Sequence, residues 1–534
     1  MSYHSIFQKY YGQERSEDDC NKRGRDPDLC PAVEIIDALF KPVYGPNLRL
    51  SACESSVSLA TRPDPLFSIL KQRATRQVHI FEKASPLGSY ELPVGSLDIR
   101  CVSPAEIVGL QRIGHHWENV LFCASGYVRP PTYMTTEPGY AIPVLNYYSS
   151  HVGLLPFLCT PYISHHNFVG YFCAQAAVYL SLEMVLPLNG SPHSPASLSH
   201  IVASQHVHKI QPPLPNALLC SEHDRYRHAG TINKGYLCRG LTTPELAALL
   251  DSDELRTRCL QVETKDEREA ALHLKSMLTS RIPLIVLVDI NSVSMSVSGK
   301  PFSPGDPGTH VITIVGYKAV GFDEISGVVF HDGHIGPYRE MSFGDFVNSA
   351  LSSPDDKGTA VGRILMFAAI PKVVSPDVYG EVLRMVLARC SSYNPDIQLS
   401  SISQFAAYLV KYAHGQTIKQ LVRQTDGKMM GFAKVFGEIL GKPSKKAGDN
   451  QILETHPIWI VQYEPSHDKN ESIYLDIIDA TETGKGRRLA TVNLGQNPRE
   501  AQWILVRGKG NVTRHFLMEV ESASKEDSYL IQRV

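Results

Sequence analysis

Three residues carry types and an order that suit acyl transfer: Cys173, His310 and Asp332. Cys173 ends the segment Gly170, Tyr171, Phe172, Cys173 and stands where a long apolar helix should begin. Most lone cysteines in apolar helices are inert core thiols. At a helix start, however, unpaired N–H groups and the helix dipole favour a charged sulfur, which is the nucleophilic form. His310 heads the apolar run HVITIVGY, and Asp332 closes the apolar run VVFHD. Taken singly, one is a histidine at a strand end and the other a turn residue in HDGH. Taken together they supply a nucleophile, a base and an orienting carboxylate, the minimum set for nucleophilic catalysis at a carbonyl.

The elements that must position these groups can be read from periodicity. Asn167 to Leu186 is apolar on nearly all sides and rich in alanine, which predicts a helix buried at the centre of its domain. His310 and Asp332 fall at the two outer ends of neighbouring strands, Val311 to Tyr317 and Val328 to Phe330, a hairpin that lays them side by side. Strands at Leu260 to Val262, Leu284 to Ile290 and Ile364 to Ile370 should complete an antiparallel or mixed sheet. Helices are expected at Ala32 to Phe40, Pro104 to Ile113, Leu241 to Leu250, Glu267 to Leu278 and Glu340 to Ser349.

The chain has 534 residues, enough for two or three domains. Residues 1–85 are expected to be a partly ordered N-terminal arm, 86–375 a central domain with an insertion near 190–240, and 376–534 a C-terminal α+β domain. The last should contain helices at Val378 to Leu387, Ile402 to Tyr412 and Ile418 to Leu440, followed by five strands from Ile458 to Val520. Apolar residues make up 43% and charged residues 20%, with a formal charge of −2. That balance describes a globular protein without the basic excess of a nucleic-acid binder. The N-terminus shows no signal-peptide pattern, no apolar run reaches membrane-span length, and eleven cysteines are scattered without framework spacing. A cytoplasmic protein with reduced thiols is the expectation, with Asn470 and Asn511 as chance matches to the glycosylation pattern.

At this point the chain resembles the papain-like cysteine peptidase superfamily, and within it the bacteriocin-processing (double-glycine leader) peptidases. FCAQAAVYLSLEMVL is similar to the family's cysteine helix, LTTPELAALL to the helix after it and SRIPLIVLVD to its first long strand. HVITIVGY and VVFHDGHIGPYREMSFGDF are similar to its His strand and Asp strand. The resemblance covers roughly residues 165–371 and implies an α+β fold with Cys173 as nucleophile, His310 as general base and acid, and Asp332 orienting the imidazole. It also implies an oxyanion donor ahead of the cysteine. Where the family carries glutamine, this chain has Asn167; where glycine follows the cysteine, it has Ala174. The implied activity is hydrolysis of a protein or peptide amide bond without a cofactor. An acyl or amide transferase on the same triad, and an inactive papain-like binding module, stand beside it. A protein partner for the C-terminal domain is a further expectation.

Two other constellations compete. His206, His208, Cys220, His223, His228 and Cys238 are metal-capable types, but their spacing fixes no tetrahedral site, and a histidine-rich loop is the expected outcome. His456, Asp476, Asp479 and Cys390 repeat the outline of the first set, yet Cys390 ends an amphipathic helix instead of heading a buried one. These residues are read as fold or partner surface. The basic runs KPSKK and GKGRR are read as solvated loops.

Overall fold

Helix and strand runs account for most of what the computed structural model describes: residues 30–45, 48–54, 74–83, 91–102, 121–148, 157–166, 173–189, 241–301, 309–320, 324–354, 360–391, 402–411, 457–465, 474–481, 488–493, 502–507 and 514–519. In chain order these begin with α1 (Cys30–Tyr44), β1 (Leu48–Glu54), β2 (Ala74–Lys83), β3 (Glu91–Val102), β4 (Leu121–Val128) and α2 (Thr132–Thr136). There follow β5 (Tyr140–Ala141), β6 (Asn146–Tyr148), β7 (Phe157–His166), α3 (Cys173–Asn189), α4 (Thr243–Leu250), β8 (Thr257–Thr264), α5 (Glu267–Thr279), β9 (Leu284–Asp289) and α6 (Ile290–Ser298). Next come β10 (Thr309–Val320), β11 (Glu324–Asp332), β12 (Gly336–Ser342), α7 (Phe343–Leu351), β13 (Ile364–Pro371) and α8 (Pro376–Ser391). The chain closes with β14 (Ile402–Lys411), β15 (Pro457–Pro465), β16 (Tyr474–Asp479), β17 (Arg488–Asn493), β18 (Gln502–Arg507) and β19 (Arg514–Glu519).

The protein is mixed α and β with antiparallel pairing, and divides into two units. The first comprises residues 1–267, 281–318 and 325–370 and contains two sheets. One has the order β1-β2-β3-β4-β7-β6, so β1 and β2, from the stretch expected to be an arm, pair into the same sheet as β7. The other has the order β12-β11-β10-β9-β13-β8, with β5 pairing β10. Strand β9 reads LIVLVD and β13 reads ILMFAAIP, and nearly every residue of both is buried, as continuous apolar runs in the middle of a sheet require. Each fully buried Ile, Leu or Val contributes about 1.5–3 kcal/mol of transfer free energy, so these two strands anchor the layer.

Local signals set the helices around this sheet. Thr242 and Glu245 form a capping box at the start of α4, with the Thr242 N–H donating to Glu245 Oε2 at 2.8 Å. Asp289 caps α6 by accepting from the Asn291 and Ser292 N–H groups. Gly299, at φ 69°, closes the same helix in the left-handed conformation that glycine adopts without penalty. Helix α3 is made of good helix formers, and Ala174, Ala176, Ala177, Val178, Leu180 and Leu182 are all buried, which matches a helix apolar on every side. Its buried carboxylate, Glu183, accepts from Tyr127 Oη at 2.5 Å.

The second unit comprises residues 268–280, 319–324 and 371–534. Its sheet runs β14-β15-β16-β17-β18-β19, with each neighbouring pair antiparallel. Trp459 and Val461 are buried on β15, where the Trp459 ring meets Tyr379 of α8 at 5.0 Å between centroids.

Two expectations need correction. Ile402 to Tyr412 is a strand and not a helix: its ISQFAAYLVK run pairs antiparallel with β15 from Ile402 to Lys411, with a register shift between Ile402 and Gln404. Helical spacing of its apolar residues is outweighed by a partner strand of Ile, Trp and Val. Glu340 to Ser349 is not one helix either. The chain stays extended to Ser342, whose Oγ accepts from the Asp345 N–H at 3.1 Å and starts α7 at Phe343. Between β9 and β10 the chain forms helix α6, for which no expectation was made. The expected helices at Pro104 to Ile113 and Ile418 to Leu440, the insertion at 190–240, Asn167, His456, Asn470 and Asn511 lie outside the described residues.

Candidate active site

Strand order brings the three predicted groups together. β10 and β11 are neighbours, so His310 near the start of one and Asp332 at the end of the other lie at the same end of the sheet. Helix α3 touches β9, the strand on the other side of β10, and carries Cys173 as its first residue. His310 Nε2 hydrogen-bonds Asp332 Oδ2, and the Cys173 thiol lies near enough to the same ring to help raise its pKa. With Nε2 held by the carboxylate, Nδ1 is the ring atom available to the thiol.

Exposure differs along this line. His310 is 6% and Asp332 2% exposed, whereas Cys173 is half-buried and a free thiol. The imidazole and its carboxylate are thus shut from water, while the sulfur keeps some exposure.

Asp332 divides its two oxygens between two tasks. Oδ2 faces the imidazole; Oδ1 accepts from the His334 N–H at 2.7 Å and the Ile335 N–H at 2.9 Å, an Asx turn closing the HDGH segment. Burial by itself would raise the Asp332 pKa, but the charge and hydrogen bond of His310, with His334, lower it to about 2. Burial would likewise lower His310, and the carboxylate of Asp332, followed by Cys173, overcomes this and raises it to about 10. The His334 ring lies 5.7 Å from that of His310. Arg339, largely buried, is attracted to Asp332, although burial lowers its own pKa.

Behind Asp332 stands a set of residues that the sequence reading missed. Thr160, Tyr162 and Ser164 alternate along β7, so they share one face of that strand. All three are fully buried. They meet three consecutive residues: Thr160 Oγ1 meets His331 Nε2 at 2.7 Å, Tyr162 Oη donates to the Asp332 carbonyl at 3.1 Å, and Ser164 Oγ donates to the Gly333 carbonyl at 2.6 Å. The signal was present as three hydroxyls at every second position in FLCTPYISHH, a pattern that a solvent-facing strand would not need to bury.

One hydrogen-bond direction satisfies the His331 end of this set. The Val128 carbonyl can only accept, so Tyr338 Oη donates to it at 2.7 Å and accepts from Thr160 Oγ1 at 2.6 Å. Thr160 in turn accepts from His331 Nε2–H, and His331 Nδ1 accepts the Tyr338 N–H at 3.1 Å. His331 is therefore neutral, in agreement with burial lowering its pKa to about 3.

Cys390 lies on α8, and Asp476 and Asp479 on β16, where they pair with Val461 and Ile458. Among the described residues no group of three or more His, Cys, Asp or Glu is arranged to hold a metal ion. The metal-capable residues between His206 and Cys238 fall outside the described residues. No helix among the described residues is long and apolar enough to cross a membrane. Comparison with protein-family models, with curated proteins and with solved structures returns no match.

Proposed function

We propose that the protein is a cysteine peptidase of papain-like architecture that hydrolyses an amide bond of a protein or peptide. The observation that carries this reading is a half-buried Cys173 thiol near a buried His310 whose Nε2 is held by Asp332. A buried helix headed by the cysteine, beside an antiparallel sheet bearing the histidine and aspartate on adjacent strands, supports the family reading.

In this mechanism His310 takes the Cys173 proton, and the resulting thiolate attacks the scissile carbonyl. The Cys173 N–H, at the free end of α3, donates to the oxyanion as the tetrahedral intermediate forms, with Asn167 as the proposed side-chain donor. The imidazolium of His310 gives its proton to the leaving nitrogen, and the C–N bond breaks to leave a thioester on Cys173. Water, deprotonated by His310, then attacks the thioester and restores the thiol. Asp332 stays ionised throughout and holds the imidazolium in place.

The test compares alkylation by iodoacetamide and incubation with candidate peptides in wild type, Cys173→Ala and His310→Ala. Cys173 should be the fast-reacting thiol, and both substitutions should abolish turnover. Product masses then identify the acceptor, since hydrolysis adds water and transfer adds an amine or thiol. A Cys173 that reacts like an ordinary exposed thiol, with no His310 dependence, would leave the chain as a binding module.

A further inference from the structure

We infer that the buried hydroxyls of β7, backed by helix α1, are a positioning device that sets Asp332 and through it the charge on His310. This rests on the triad reading above and adds Thr160, Tyr162, Ser164 and Phe40 to it as positioning residues, none of which contacts the sulfur in the proposed reaction.

The geometry is consecutive. The three hydroxyls engage residues 331, 332 and 333 in order, two of them by donating to the backbone carbonyls of Asp332 and Gly333. The His334 and Ile335 N–H groups bind Oδ1 of Asp332 itself. The carboxylate is thus held by its side chain from one strand end and by its own peptide from β7. Rotation of this turn would move Oδ2 off His310 Nε2.

Helix α1 supports the same strand. Ile36, Leu39, Phe40 and Tyr44 are buried, and the Phe40 ring packs edge-on against Tyr162 with centroids 5.6 Å apart. Tyr44 Oη donates to the Arg129 carbonyl at 2.5 Å, beyond the end of β4. The Leu39 carbonyl lies so close to Gly336 that a Cβ there would sit 2.5 Å from it, and Gly336 is the residue paired with Asp332 across β11 and β12. Gly336 also has φ +125°, so both space and backbone require glycine at this contact. Helix α1 is therefore part of the site's frame.

The charged and titratable groups facing Asp332 are His310, His334, Arg339 and Tyr162. Of these only Tyr162 is replaced in the test, and Tyr162 is a neutral phenol because burial, then the Asp332 charge, raises its pKa well above the usual value.

The experiment uses the full chain carrying 13C-labelled histidine, with His310→Gln to assign the His310 signal. Wild type is compared with Tyr162→Phe, Tyr162→Phe/Ser164→Ala and Phe40→Leu, and with Tyr379→Phe as a buried-hydroxyl control in the other unit. The double variant should lower the His310 titration midpoint by about one pH unit or more and slow Cys173 alkylation by iodoacetamide at pH 7 about tenfold. Phe40→Leu should move both in the same direction by less. Tyr379→Phe should lower the melting temperature while leaving both readouts at wild-type values. If the β7 variants lose stability but keep the wild-type titration and alkylation rate, the positioning role is overturned. Should the double variant fail to fold, Tyr162→Phe, which removes one oxygen, decides by the same criteria. The two readings fail separately: a wild-type Cys173 of ordinary reactivity removes the peptidase reading, whereas the His310 titration still judges the positioning device.

Discussion

His310 in the first unit and His273 in the second are both buried, and their environments drive them in opposite directions. His273 Nδ1 meets Tyr379 Oη at 2.8 Å, and burial lowers its pKa to about 4, so it is neutral at pH 7. Its nearest acid is Glu269, 3.8 Å from Nε2 and partly open to solvent. His310 faces a carboxylate that is itself buried and anchored, and its pKa rises to about 10. His331, one residue from Asp332, repeats the His273 outcome inside the first unit because its partners are a hydroxyl and a backbone N–H. Burial alone thus yields a neutral structural histidine. A fixed, buried carboxylate turns the same side chain into a cation that can stabilise a thiolate.

The largest test of that contrast is removal of the reacting groups. Cys173→Ala and His310→Ala should each lower peptide turnover by about 10⁴-fold or more, measured as kcat/KM, whereas His273→Phe should leave it within about twofold. Asp332→Asn comes next, with an expected loss of about 10²- to 10⁴-fold. It should also move the alkaline limb of the pH–rate profile down from the region near 10 toward ordinary histidine values, because the imidazolium loses its counter-charge.

Stability against pH separates the two histidines by sign. For His310 the folded pKa lies above the usual 6.5, so its contribution is complete below 6.5 and is lost as pH rises toward 10. For Asp332 the folded pKa lies below 3.8, so its contribution is present above that value and is lost as pH falls toward 2. His273 has a depressed pKa, so its folded environment favours the neutral form and costs stability as pH falls from 6.5 to about 4. Denaturant titrations at pH 7 and pH 4.5 should show an acid-side loss of up to about 3 kcal/mol attributable to His273, absent in His273→Phe. The smallest effect is expected away from both histidines. Ser342→Ala removes the N-cap of α7 and should cost about 1 kcal/mol in thermal unfolding without altering Cys173 reactivity.

The candidate site was more legible in the sequence than its frame. Cys173 at a helix start, His310 at a strand start and Asp332 at a strand end are each marked by an abrupt change between apolar and polar residues, and such changes are local. The HDGH turn likewise advertises its Asx geometry. What holds Asp332 is not local. Thr160, Tyr162 and Ser164 come from a stretch crowded with prolines and tyrosines, and their partners lie some 170 positions downstream. Phe40 is more distant still. The Ile402 to Lys411 strand failed for a related reason, since its helical appearance is local and the pairing that decides it is with β15. Helix α6 escaped notice because VSMSVS alternates apolar and polar residues as a strand would, and the helix depends on the Asp289 cap and the Gly299 exit.

The most direct measurement is the rate of Cys173 alkylation by iodoacetamide across pH 5 to 10 in wild type and His310→Ala. If His310 holds a thiolate beside it, the wild-type rate is already high near neutral pH, and His310→Ala lowers it there by about 10²-fold while converging on it in alkali. Identical profiles in the two proteins, each rising only through the ordinary thiol range near about 8.5, would contradict the account.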